Sequence, residues 1–111
     1  YRDFTYVDDI VTGIEHMLCN PPKENELGAP YKIYNIGNHK PEQLMHFIEV
    51  LEKALGKTAE KEYLPMQPGD VYQTYADVSE LQRDFDFKPE TTIEEGLGKF
   101  AEWYKSYYSV E

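Results

Sequence analysis

Arg2-Asp3-Phe4-Thr5-Tyr6-Val7-Asp8-Asp9 sets a guanidinium at the start of a short β-branched and aromatic run that ends on two carboxylates. Phe4-Thr5-Tyr6-Val7 predicts a strand. Asp8 and Asp9 are good N-cap residues, and Ile10, Ile14, Met17 and Leu18 follow at helical spacing until Asn20-Pro21-Pro22 stops the run. A strand running into an amphipathic helix places the chain in the α/β class.

Working outward, residues 22–30 have no periodicity and read as a surface loop. Tyr31-Lys32-Ile33-Tyr34-Asn35-Ile36 predicts a second strand running into a turn at Gly37-Asn38. Pro41 suits the first turn of a second helix, whose stripe of Leu44, Phe47, Ile48, Leu51 and Leu55 ends at Gly56. Lys61 to Met66 and Val71 to Ala76 are candidate extended segments on either side of a Gln67-Pro68-Gly69-Asp70 turn. Asp77 and Glu80 are spaced as a capping pair for a short helix through Leu81 and Phe85, closed by Lys88-Pro89. Thr92 and Glu95 have capping-box spacing for a last helix carrying Ile93, Leu97, Phe100, Tyr104 and Tyr107. Gly96 and Gly98 weaken that helix intrinsically, so packing must hold its first turn. The expected architecture is about four helices with a few short strands.

The 111 residues suffice for one modest core, and 41 % hydrophobic with 29 % charged residues is a globular rather than a disordered composition. A net charge of −10 repels nucleic acid and anionic membrane, so neither is an expected partner and an anionic ligand must be held by local donors. Cys19 is the single cysteine, which excludes an intrachain disulfide and a thiolate zinc cluster and fits a reducing cytoplasm. Charges interrupt every apolar stretch, so neither a membrane span nor an export signal is expected. The opening on Tyr1, straight into an expected strand, suggests a piece of a longer protein.

Several chemistries have no residues to carry them. The seven glycines, at 13, 28, 37, 56, 69, 96 and 98, make no dinucleotide fingerprint after a strand. His16, His39 and His46 are dispersed, and no serine or cysteine sits in a nucleophile elbow. Pairs such as Glu94-Glu95 and Asp8-Asp9 read as caps and solvated charge, and the Trp103, Tyr104, Tyr107 and Tyr108 group reads as core. Two stretches stand apart. Arg2 is a fixed bidentate cation before a strand, and the Gln67–Asp70 turn presents an amide and a carboxylate on a constrained backbone.

These two stretches, with Tyr34-Asn35-Ile36-Gly37 between them, resemble the C-terminal third of the extended short-chain dehydrogenase/reductase family of nucleotide-sugar epimerases and dehydratases. The resemblance covers the whole chain. Pro65-Met66-Gln67-Pro68-Gly69-Asp70-Val71 and Phe100-Ala101-Glu102-Trp103-Tyr104 look most like the UDP-glucuronate 4-epimerase branch of capsule biosynthesis.

The resemblance implies that Arg2 contacts the diphosphate of a UDP-sugar and that Asp70 contacts the nucleotide ribose. The alternatives are an ion pair of Arg2 with Asp3 or Asp8, and a turn cap for Asp70. Gln67 stands where galactose-type members carry a second phosphate-binding arginine; Phe4, Tyr6, Asp8 and Asn35 match family positions read as scaffold. The implied reaction oxidises the sugar at C4 with NAD, turns the keto intermediate and reduces it on the other face. The implied Tyr-x-x-x-Lys acid–base pair is absent from this sequence. The expectation is therefore a UDP-sugar-binding segment over residues 1–111, without an N-terminal NAD-binding Rossmann domain. It would be catalytically inactive alone, bind no NAD unaided and self-associate through exposed surface. The rival expectations are another nucleotide-sugar epimerase, dehydratase or decarboxylase branch of the same family, and a non-enzymatic α/β interaction module, which would bury its own sheet edges and bind no nucleotide.

Overall fold

The computed structural model describes all 111 residues, and its order is β1 (Arg2–Asp3), α1 (Val7–Leu18), β2 (Pro41–Glu42), α2 (Leu44–Leu55), α3 (Ser79–Phe85) and α4 (Ile93–Tyr108). β1 and β2 pair antiparallel, with Arg2 opposite Glu42 and Asp3 opposite Pro41. On the other flank of β1, the Tyr1 N–H donates to the Tyr72 carbonyl at 3.1 Å and the Thr74 N–H donates to the Tyr1 carbonyl at 3.3 Å. That spacing is one rung of parallel pairing. The extended Val71–Ala76 segment therefore lies beside β1 without lengthening into a strand.

Helix α2 matches its expected end. Gly56 takes the left-handed conformation at φ 71° and, together with Lys57, donates its N–H to the Glu52 carbonyl, a stop that suits glycine. Its start lies later than expected: Pro41 sits in β2, where its missing N–H suits a two-residue edge strand, and the helix begins at Leu44 after Gln43. α2 packs against α4, with Phe47 stacked on Phe4 at 4.1 Å between ring centroids.

The N-terminus of α1 also differs. The helix begins at Val7, and neither Asp8 nor Asp9 caps it. Both lie in the first turn, where carboxylates complement the helix dipole. Asp9 reaches across instead to accept the Thr91 N–H at 3.0 Å, which ties α1 to the entry of α4. The strand expected over residues 4–7 does not form: residues 4–6 carry no strand pairing, Val7 already opens α1, and the strand lies just upstream at Arg2–Asp3.

At α4, Thr92 Oγ1 accepts the Glu95 N–H at 3.2 Å as the spacing predicts, while the Glu95 carboxylate turns to Lys99 at 2.8 Å. Asp77 accepts the Ser79 N–H and hydroxyl at the head of α3, and Glu80 pairs with Arg83 rather than completing a capping box.

The core is small: Val78, Leu81, Ile93, Leu97 and Ala101 are the buried hydrophobic residues. Gly96 shares that core because a Cβ there would meet the Tyr6 ring at 3.2 Å. Trp103, Tyr104, Tyr107 and Tyr108, expected in the core, lie outside it, 37–68 % exposed, because the helix turns Ile93, Leu97 and Ala101 inward and leaves this aromatic flank uncovered.

Val7, Val11, Ile14 and Leu18 form a second bare stripe along α1, 46–76 % exposed. The total accessible surface of 8633 Å² exceeds the roughly 6,300 Å² of a compact monomer of 13.0 kDa by about 2,300 Å². The radius of gyration is 17.7 Å, against about 13 Å for a compact chain of this length.

The segment expected as a strand at Tyr31–Ile36 is not paired with any other strand. Its side chains nevertheless alternate in a strand's rhythm. Ile36 packs over Gly13 of α1, Tyr34 meets Phe85 edge-on, and Tyr31 and Ile33 are 62 % and 68 % exposed. Lys32 Nζ and the Tyr34 hydroxyl both donate to Asp84 Oδ2, at 2.5 and 2.6 Å. These two donors hold the Asp84 carboxyl far below the usual carboxylate range, and Asp84 in turn raises the Lys32 ammonium above its ordinary value. The segment is fastened on one face to α1 and α3, while its backbone edges make no ladder. Lys61–Met66 likewise forms no strand, and Lys61 pairs with Glu52.

Candidate substrate-binding site

Arg2 and Asp70 are 68 residues apart in sequence and meet at 2.8 Å between Nη2 and Oδ1. Two local features bring them together. β1 holds Arg2 between β2 and the Tyr72–Thr74 backbone, and the Gln67–Asp70 turn closes with the Asp70 N–H on the Gln67 carbonyl at 3.2 Å. Gly69 at φ 85° supplies the left-handed residue that this turn needs. Oδ1 of Asp70 also accepts the Val71 N–H at 2.9 Å, and the other guanidinium nitrogen of Arg2 donates to the Tyr1 carbonyl at 3.0 Å.

The ion-pair alternative for Arg2 is thus realised with Asp70 rather than with Asp3 or Asp8. The side chains of Arg2 and Asp70 remain 32 % and 50 % exposed, so a cation and an acceptor stand side by side on an open surface. Gln67 is exposed on the same turn. The arrangement can bind an anion through the guanidinium and accept from hydroxyls through the carboxylate.

The histidines have local partners. His39 stands at φ 57°, with Nδ1 on the Ala76 carbonyl at 2.9 Å and Nε2 against the Tyr75 hydroxyl at 2.8 Å. A carbonyl only accepts, so neutral His39 carries its proton on Nδ1 and receives the tyrosine proton at Nε2. His16 packs edge-on to Phe87, and His46 faces Glu94 at 3.3 Å. No cluster of three His, Cys, Asp or Glu side chains is suited to a metal ion, and no helix is long and apolar enough to cross a membrane.

The sequence reading missed Asp3. Its carboxylate accepts the N–H groups of Asn38, His39 and Ala76, each at 3.1 Å. No local signal marked it, because the expected strand began at Phe4 and the three donors lie 35, 36 and 73 residues along the chain.

A family model described as GDP-mannose 4,6 dehydratase matches residues 1–100. Protein CapI of Staphylococcus aureus is 52 % identical over 118 residues, covering 96 % of this chain and 35 % of that protein. UDP-glucuronate 4-epimerase 1 of Arabidopsis thaliana is 41 % identical over 114 residues, covering 96 % of this chain and 27 % of its own. Among solved structures, the UDP-glucuronic acid 4-epimerase of Bacillus cereus in complex with UDP-glucuronic acid and NAD superimposes with a TM-score of 0.78. It is 31 % identical, covering 96 % of this chain and 32 % of that one. The chain thus spans about a third or less of the length of these relatives. With four helices, a two-stranded sheet and the two motif stretches joined in space, the chain belongs to the GDP-mannose 4,6 dehydratase family, as the C-terminal part of an extended short-chain dehydrogenase/reductase of the nucleotide-sugar type.

Proposed function

We propose that this chain is the UDP-sugar-holding segment of an NAD-dependent nucleotide-sugar 4-epimerase that interconverts UDP-glucuronate and UDP-galacturonate in the cytoplasm for polysaccharide synthesis. The observation that carries the reading is the Arg2–Asp70 pair at 2.8 Å. Arg2 takes the diphosphate and Asp70 takes the ribose hydroxyls, so the UDP end lies across the pair. The Gln67 amide, on the same turn, faces the ligand as a neutral polar contact. Relatives named UDP-glucuronate 4-epimerase support the choice of sugar.

The chain's own residues do not fit a dinucleotide cradle. The residues leading into α1, α2, α3 and α4 are Tyr6, Gln43, Val78 and Thr92, and none belongs to a glycine-rich turn that would bring backbone N–H groups to a pyrophosphate. No step of the hydride chemistry is assigned to this chain. Its part is to hold the nucleotide while the sugar turns, which is positioning rather than bond making.

In this reading an N-terminal Rossmann domain covers the bare α1 stripe and pairs with Tyr31–Ile36. The excess surface of about 2,300 Å² on this one chain exceeds the roughly 800 Å² that each partner contributes to a standard protein interface. Uncovered, the same surface drives copies of the chain to associate, and the chain alone is catalytically inactive.

The test is calorimetric titration of UDP and UDP-glucuronate into the chain and into Arg2→Ala. The proposal expects the variant to weaken both ligands about tenfold or more, the scale of a lost charge-assisted hydrogen bond. Equal affinity of the two proteins for UDP refutes the anchor.

A further inference from the structure

Two stretches of chain far apart in sequence, residues 38–39 and residue 76, converge on the carboxylate of Asp3 in β1. Asp3 Oδ1 accepts the Asn38 N–H, and Oδ2 accepts the N–H groups of His39 and Ala76. The Asp3 N–H itself donates to Thr74 Oγ1 at 2.9 Å. The junction is tightly closed: a Cβ on Gly37 would stand 2.5 Å from the Ala76 Cβ and 3.2 Å from Asp3 Oδ2. Arg2 is the next residue on β1, and Asp70 lies six residues before Ala76 on the segment that Asp3 secures. The carboxylate therefore fixes the strand that carries the cation relative to the loop that carries the acceptor.

We infer that Asp3 is a positioning residue for the nucleotide-sugar site, holding Arg2 and Asp70 in register without touching the ligand. The inference rests on the proposed anchoring roles of Arg2 and Asp70. The chemistry demands a carboxylate. Three N–H donors arrive on both oxygens, and an asparagine amide would turn its own NH2 toward one set of them. Asp3→Asn thus removes at least one bond and sets donor against donor while keeping the shape.

The experiment compares the full chain with Asp3→Asn, Thr74→Val, Arg2→Ala and Asp3→Asn/Arg2→Ala. By calorimetry, Asp3→Asn is expected to weaken UDP about tenfold to a hundredfold while weakening uridine less, because the diphosphate depends on Arg2. Thr74→Val, a milder lesion at the same junction, is expected to shift that ratio in the same direction. The double variant is expected to lose less UDP affinity than the two single losses summed, the remaining loss beyond Arg2→Ala matching that of uridine, since the diphosphate part of the effect runs through Arg2. Equal loss for UDP and uridine, or losses that add, overturns the inference.

A readout without ligand separates this inference from the anchor reading. Arg2→Ala shifts the Asp70 13Cγ resonance in the parent chain, and in the Asp3→Asn background that response is expected to vanish, with faster amide exchange at Asn38, His39 and Ala76. If the parent chain binds no UDP but the response is lost in Asp3→Asn, the anchor reading fails and the positioning role stands. If the response survives in Asp3→Asn, the positioning role fails whatever the ligand does.

Discussion

Replacing Asp70 with asparagine is expected to move two affinities in opposite directions. In the free chain the Arg2 guanidinium is engaged by Asp70 Oδ1 at 2.8 Å and by the Tyr1 carbonyl at 3.0 Å, so an arriving phosphate competes with a carboxylate already in place. The pair is 32 % and 50 % exposed, and an exposed ion pair is worth about 0–1 kcal/mol. Repulsion between the carboxylate and a phosphate oxygen at about 5 Å in water-like dielectric adds roughly 0.8 kcal/mol. Removing the charge therefore tightens inorganic pyrophosphate by about four- to twentyfold. The same change costs the ribose its charged acceptor, about 1.5–3 kcal/mol, so UDP weakens on balance. Folding stability changes by less than about 1 kcal/mol because the pair is exposed. The assay is calorimetry with pyrophosphate, uridine and UDP at low and moderate salt, where the pyrophosphate gain shrinks as screening increases. Pyrophosphate that binds Asp70→Asn no tighter than the parent chain, or UDP that tightens with it, refutes the side-by-side arrangement of anion and hydroxyl contacts.

Two further predictions concern the scaffold. Gly98→Ala stabilises the chain by about 1 kcal/mol in urea unfolding, the helix-propensity difference, because a Cβ there meets nothing within 4 Å. Gly96→Ala gains less or loses stability, because its Cβ presses on the Tyr6 ring at 3.2 Å; equal gains at both positions contradict the packing described for α4. Acid releases the 31–36 segment: Asp84 has a folded-state pKa below its unfolded value, so its contribution is complete above about pH 4 and is lost as pH falls below that value. Hydrogen exchange and Tyr34 resonances followed from pH 6 to 2 should show this segment loosening, and Asp84→Asn should remove the pH dependence.

Much of this architecture was legible from local pattern. The stripe from Leu44 to Leu55 with Gly56 behind it defines α2 because a 3.6-residue apolar period and a residue free to turn left-handed need no knowledge of the rest of the chain. Thr92 caps α4 for the same reason: its partner is three residues away. The Gln67–Asp70 turn follows from Pro68 and Gly69 alone. Arg2 and Asp70 were singled out by residue type and by resemblance.

Tertiary structure decided what those elements touch. A strand requires a neighbour, so Tyr31–Ile36 could show a strand's composition and alternation without forming a ladder. The aromatic flank of α4 has a core's composition yet lies exposed, because burial depends on a facing surface that no local window contains. Asp8 and Asp9 carry a cap's chemistry, but the helix began two residues too early for Asp8 to cap it and three too early for Asp9, and Asp9 found Thr91 instead. Sequence by itself marked Arg2, Gln67 and Asp70 as candidate contacts by residue type and resemblance, and showed which segments could be helices. Only the folded chain decided that Arg2 and Asp70 meet, because that meeting depends on Asp3 joining two backbone segments to β1 across separations along the chain that conceal them from each other.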